Sequence, residues 1–161
     1  MGALVSARQR EAVLGWVARG REEGARLVEG GGRVVDGALA RGNFVRPAVF
    51  ADVAPGAAIA QEEIFGPVVA CLRFEREDEA VALANGTRYG LAAALWTADV
   101  ARAQSLARRL QAGVVWINCF NAFDDAAPFG GVKQSGWGRD LSHHALEGYL
   151  SHKAVWTRLP E

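Results

Sequence analysis

The chain has 161 residues, enough for one domain with a usable core. Its 18 Lys and Arg balance 18 Asp and Glu, and a net charge of zero excludes the broad positive field of a nucleic-acid binder. No apolar run is long enough to span a bilayer and no signal peptide opens the chain, so a soluble cytoplasmic protein without a membrane partner is expected.

Met1 to Gly24 reads as a helix. Ser6 and Gln9 form a capping box, in which the Ser6 hydroxyl accepts from the Gln9 amide and the Gln9 side chain reaches back. Val13, Trp16, Val17 and Gly20 follow the i, i+3, i+4, i+7 spacing of a buried stripe. Gly24 is a natural left-handed terminator. A short strand, Ala25 to Glu29, then meets the Gly30-Gly31-Gly32 turn, from which Arg33 to Val35 can return as its hairpin partner. The triple glycine lacks both the GxGxxG spacing and a following helix, so it reads as a flexible turn and not as a phosphate loop. Asn43 to Val53 is extended and interrupted by Pro47, hence an edge or connecting strand.

The hexapeptide Glu62-Glu63-Ile64-Phe65-Gly66-Pro67 comes next. A carboxylate and an aromatic two residues apart share a face if the segment is extended, which suits an amphiphilic ligand with hydroxyls and a flat ring. An acidic turn followed by a buried Ile fits the same six residues. Val68 to Phe74 has the β-branched, apolar character of a buried strand. Glu77 to Asn85 is a short helix with its acids at the positive N-terminus, ended by Gly86. Leu91 to Trp96 is a strand, Asp99 to Leu110 a helix with Val100, Ala103, Leu106, Ala107 and Leu110 on one face, and Val114 to Cys119 a further strand. This alternation predicts an α/β fold, a parallel sheet with flanking helices and right-handed crossovers.

Ligands of open α/β sheets sit outside the carboxyl ends of the strands. There the sequence places a loop, from Asn118 to Gly136, with Phe120, Phe123 and Phe129, then Gly130, Gly131 and Gly136, and with Gly138 just past its end. Aromatics on a glycine-rich backbone can wall an apolar tunnel, or the loop can fold onto its own hydrophobic cluster. A short helix from Ser142 to Leu150 and an extended segment from Ser151 to Arg158 complete the chain. Cys71 and Cys119 lie in apolar, β-branched stretches and read as small buried hydrophobes. His143, His144 and His152 have no Cys or acid at zinc-ligand spacing, so no metal site is expected.

Four blocks carry a family resemblance: EEIFGPVV at 62–69, NGTRYGLAAALWT at 85–97, AGVVWIN at 112–118 and PFGGVKQSGWGRD at 128–140. Their order and spacing resemble the C-terminal portion of the aldehyde dehydrogenase superfamily, which uses NAD or NADP, and the likeness covers essentially the whole chain. The loop WINCFNAFDDAAPFGG is most similar to members acting on aromatic or betaine-type aldehydes. The resemblance implies that Glu63 hydrogen-bonds the nicotinamide-ribose hydroxyls and that Phe65 packs near the nicotinamide. It implies that Phe123 and Phe129 line the substrate tunnel, and that Lys133 belongs to a motif shaping the site. It further implies that residues 1–150 are part of the catalytic domain, and that residues 151–161 hold the final oligomerisation strand (Ser151 to Arg158) and a tail. An unpaired strand edge is a template for self-association, so a homo-oligomer is expected. Asp140, Ala127 and Val132 stand where the family commonly has Glu, Leu and Tyr, changes read as packing variation.

The family's chemistry needs a cysteine thiolate nucleophile, a general-base glutamate, an asparagine that holds the oxyanion, and a cofactor domain. By the resemblance, all of these belong upstream of the matched segment. Neither Cys71 nor Cys119 replaces the nucleophile, since each sits in an expected strand with no base nearby. The reading is therefore an aldehyde dehydrogenase portion that is inactive alone and binds its cofactor weakly. One half of a split enzyme, or a non-catalytic oligomerising or binding module, is the alternative.

Overall fold

The computed structural model describes residues 1–160 and divides after Thr87 into two units, Met1–Thr87 and the residues from Arg88 onward. The division falls inside the segment read above as one catalytic part.

In the first unit, helix α1 (Ala7–Glu22) begins at Ser6, whose hydroxyl accepts from the Gln9 amide at 3.1 Å. The helix is therefore shorter at its start than the expected 1–24. Its buried stripe is Val13, Val17 and Gly20, with Trp16 partly buried beside them, as the spacing requires. Gly24 ends it with φ +87°, a conformation that needs no Cβ.

Strand β1 (Arg26–Glu29) pairs antiparallel with β2 (Ala48–Ala51), and β2 pairs in parallel with β3 (Val68–Ala70). Two expectations are corrected here. Residues 33–35 are not the hairpin partner of β1; Arg33 bridges Val45 instead, and the Arg46 amide donates to the Gly32 carbonyl at 2.8 Å. The segment around Pro47 supplies the central strand of the sheet β1-β2-β3, not an edge. Pro47 stands before the first ladder residue, so its missing N–H interrupts no strand hydrogen bond. The strand expected over 68–74 spans three residues at the sheet's edge, and Val69 is exposed.

The core gathers Val17, Ala25, Ala48, Phe50, Val53, Ala57 and Ile59, with Phe50 and Ala48 fully buried on one face of β2. Short helix α2 (Ala58–Gln61) crosses over to β3, and α3 (Glu77–Asn85) follows with Glu77, Asp78 and Glu79 in its first turn.

In the second unit, β4 (Tyr89–Gly90) precedes β5 (Ala92–Leu95), helix α4 (Val100–Arg109) and β6 (Val114–Ile117). The last three form a βαβ unit with β5 and β6 parallel, Ala92 opposite Val114 and Leu95 opposite Ile117. Asp99 caps α4 by accepting from the Arg102 amide at 3.0 Å, and Ala103 is the buried residue of its apolar face. Strand β7 (Val132–Lys133) pairs antiparallel with β4. The single parallel sheet expected is thus three separate sheets, two of which contain a parallel pair. The expected helix at 142–150 is a tighter 3₁₀ segment, His143–Tyr149. The extended segment at 151–158 pairs with no strand among the described residues, and Val155 and Trp156 are exposed.

Candidate functional site

The hexapeptide is anchored at three depths. Ile64 packs against the core of the first unit and Pro67 is buried, while Glu63 and Phe65 on either side of Ile64 are exposed, Phe65 at 77%. The alternation out, in, out matches an extended segment as far as Phe65. There the backbone turns left-handed, with φ +52°, a value that costs a bulky non-glycine residue about 1–2 kcal/mol. That cost is met from helix α1. The Gln9 carboxamide does not reach back to Ser6, as the capping box implies. Its Nε2 donates to the Ile64 carbonyl at 3.2 Å and to the Phe65 carbonyl at 2.9 Å. One turn further along α1, Val13 lies so close that a Cβ on Gly66 would sit 2.4 Å from its Cγ2. Glycine at 66 is therefore a packing requirement.

The entry into the hexapeptide is held as well. Glu23, just past α1, accepts from the Ala58 amide at 2.7 Å at the start of α2 and from Arg19 Nε at 2.8 Å. The Arg19 hydrogen bond first, and the Ala58 amide second, hold the Glu23 carboxyl below the usual carboxylate range. Glu62 is the cap that ends α2, its amide donating to the Ala58 carbonyl at 2.9 Å. The Glu63 carboxylate has no protein partner among the described residues, which leaves both oxygens available to hydroxyl donors. An apolar groove of about 530 Å³ in the same unit, lined by Leu72, Phe74, Ala80 and Leu83, includes neither Glu63 nor Phe65.

In the second unit the aromatic residues of the loop meet. Trp116, 8% exposed on β6, donates its indole N–H to the Ala122 carbonyl at 2.8 Å. Phe120 and Phe123 stand edge-on to Trp116, with ring centroids at 5.3 and 5.7 Å, and Phe129 stands edge-on to Phe123 at 5.2 Å. Phe129 is fixed by a two-way backbone bridge to Asp140, at 2.8 and 2.7 Å, and lines a groove of about 200 Å³ with Leu91, Trp137 and Arg139. Phe123 stays 54% exposed, so the cluster is packed on one side and open on the other. Asn118, at φ +55°, joins the ends of β5 and β6. Its side chain accepts from the Thr97 amide and donates to the Thr97 carbonyl, both at 2.8 Å. Gly113, at the start of β6, runs so close to the loop that a Cβ would fall 1.7 Å from the Gly130 carbonyl oxygen.

Sequence reasoning missed Gln9, Trp116 and Asn118 as supports of these segments. Trp116 carried a usable signal, a large aromatic inside a β-branched strand just before the loop. The two cysteines also differ from expectation: both are exposed thiols, because Cys71 follows the short strand β3 and Cys119 lies beyond the end of β6. Neither sulfur is hydrogen-bonded to an imidazole or carboxylate among the described residues. His144 pairs with Glu147 at 3.3 Å and stacks on His143, and the described residues contain no group of three metal-capable side chains. No helix among them is long and apolar enough to cross a membrane.

Comparison with known proteins adds a finding independent of this geometry. The sequence pattern described as "Aldehyde dehydrogenase family" matches residues 1–155. The chain is 47% identical over 160 residues to the mitochondrial aldehyde dehydrogenase of Equus caballus, covering 99% of the chain and 31% of that protein. It is 48% identical over 156 residues to betaine aldehyde dehydrogenase 1 of Rhizobium meliloti, covering 97% of the chain and 32% of that protein. The fold superimposes on the NAD+ complex structure of an aldehyde dehydrogenase from Bacillus cereus with a TM-score of 0.92 and 46% identity, over 99% of the chain and 32% of that structure. The chain therefore spans about a third of the length of the relatives it matches.

Proposed function

The chain belongs to the aldehyde dehydrogenase family, and from that premise we propose that it is the C-terminal part of an NAD(P)-dependent aldehyde dehydrogenase, whose reaction oxidises an aldehyde to a carboxylic acid. The observation that carries the reading is the exposed, unpartnered Glu63 carboxylate beside the exposed Phe65 ring on a segment fixed from both sides. A carboxylate with free oxygens accepts two vicinal ribose hydroxyls, and a flat exposed ring packs against a heterocycle. These residues fit a nicotinamide dinucleotide, which when bound supplies the hydride acceptor of aldehyde oxidation. Glu63 orients the ribose, and Phe65 limits where the nicotinamide ring can lie.

Phe123 and Phe129 form the apolar wall of the aldehyde pocket. The open side of their cluster supports this role, since an aromatic wall excludes water and takes up an apolar chain. Residues 1–150 belong to the catalytic domain in this reading, and 151–158 pair with a second copy. Exposed Val155 and Trp156, on a segment with no strand partner among the described residues, support that assignment. Light scattering is expected to show a dimer or larger species. No aldehyde oxidation is expected from the 161 residues alone, because among the described residues neither exposed thiol is hydrogen-bonded to an imidazole or carboxylate that could act as its base.

Titration with NAD+ tests the reading. Binding of millimolar order, about −4 kcal/mol, is expected, together with its loss in Glu63→Gln and Phe65→Ala. Tight binding that survives both substitutions, or NADH production that depends on Cys119, overturns it.

A further inference from the structure

We propose that Gln9 is a positioning residue for the cofactor-facing segment: its carboxamide holds the Ile64 and Phe65 carbonyls, and so fixes the left-handed backbone that presents Phe65 and Glu63. The inference rests on the reading of Glu63 and Phe65 as cofactor contacts. Its geometric half stands on the first unit alone.

One side-chain amide nitrogen donates to two consecutive carbonyls, 55 and 56 residues away in sequence. The second of those carbonyls belongs to Phe65, which adopts φ +52° without being glycine. A β-carbon-bearing residue enters that region only when its surroundings over-determine it. The surroundings here are three. Gln9 grips the carbonyls, Gly66 presses on Val13 with no room for a Cβ, and Pro67 is buried behind them. Gln9 and Val13 stand four residues apart on α1, so they present one face to the hexapeptide. Gln9 is itself fixed, since its amide is bound by the Ser6 hydroxyl at the start of the helix. A chain of contacts thus runs from the helix cap through Gln9 to the Phe65 peptide. Glutamine suits the task because its Nε2 carries two donors, enough for two acceptors.

Gln9→Glu separates positioning from mere helix support. Glutamate is nearly isosteric, is favourable in the first turn of a helix, and completes the capping box, but it has no donor for either carbonyl. The measurement is NMR of the full chain: the amide–Hα coupling of Phe65, and the shift changes at residues 62–67 as NAD+ is added. With Gln9→Glu, the coupling is expected to leave the value for φ +52° for that of extended backbone, while the thermal midpoint stays that of the unsubstituted chain. Apparent NAD+ affinity is expected to fall roughly 3- to 10-fold, the equivalent of about one neutral hydrogen bond. Gln9→Ala is expected to reproduce both losses. An unchanged Phe65 coupling in Gln9→Glu overturns the inference. So does a lowered thermal midpoint with NAD+ affinity retained. If the unsubstituted chain shows no NAD+ response, the functional reading has failed separately, and the Phe65 coupling alone decides whether Gln9 sets the backbone.

Discussion

The hexapeptide at 62–67 and the aromatic loop at 118–140 both present phenylalanines to solvent, but they are built in different ways. The hexapeptide has almost no support of its own. Its conformation comes from Gln9 and Val13 on a helix more than fifty residues earlier, and from Ile64 in the core. The phenylalanines of the aromatic loop are held from within it and from the strand that launches it: Trp116 binds Ala122 six residues on, Phe123 leans on Trp116, and Phe129 bridges Asp140, while only the later turn of the loop, β7, is paired with the distant β4. A remote support gives a strained but specific backbone, and a local support gives a cluster that forms with its own strand. The contrast predicts that single changes in the loop act through lost packing, and single changes at the hexapeptide act through backbone conformation.

The largest effect should come from Trp116→Ala, which removes the centre of the loop cluster. Truncation of a buried tryptophan costs about 3–5 kcal/mol, and hydrogen exchange is expected to show lost protection from Val114 to Phe129. A cost below about 1 kcal/mol would mean that the loop does not depend on its aromatic anchor. Gly66→Ala is next, since its methyl group overlaps the stiff, fully buried Val13 side chain. A cost of about 1–3 kcal/mol in urea unfolding is expected, with much of it relieved in a Val13→Ala background. Additive costs in that double-mutant cycle would break the link drawn between α1 and the hexapeptide.

The smallest effect is pH-dependent. The Glu23 carboxyl lies below its ordinary value in the folded chain, chiefly through Arg19. The stability it contributes is present above the unfolded carboxylate pKa and is lost as pH falls through the lower folded value. Thermal midpoints measured from neutral to acid pH should therefore fall less steeply in Glu23→Gln than in the unsubstituted chain. Equal slopes would remove Glu23 from the support of α2.

Much of the local structure was legible. Helix α3 spans Glu77–Asn85 as its acids and Gly86 announce, Asp99 caps α4, and Gly24 ends the first helix left-handed. The proposed site residues Glu63, Phe65, Phe123 and Phe129 were named from the family resemblance, and the first three are exposed while Phe129 is partly exposed. What escaped was who holds them. The capping-box pattern assigned the Gln9 side chain to its own helix, because no local rule offers it a partner 55 residues away. The same blindness offered 33–35 as the partner of β1 and read the segment around Pro47 as an edge or connecting strand.

Sequence alone determined the limits of α3, the caps supplied by the Ser6 hydroxyl and by Asp99, the buried stripe of α1 and the family resemblance, because each is written in spacings of one to four residues or in contiguous blocks. Tertiary structure alone decided which strands pair, that the cysteines are exposed, that the loop phenylalanines meet around Trp116, and that Phe65 is held left-handed by Gln9. Those outcomes depend on groups far apart in the chain competing for the same hydrogen bonds and the same volume, and only the folded packing settles such a competition.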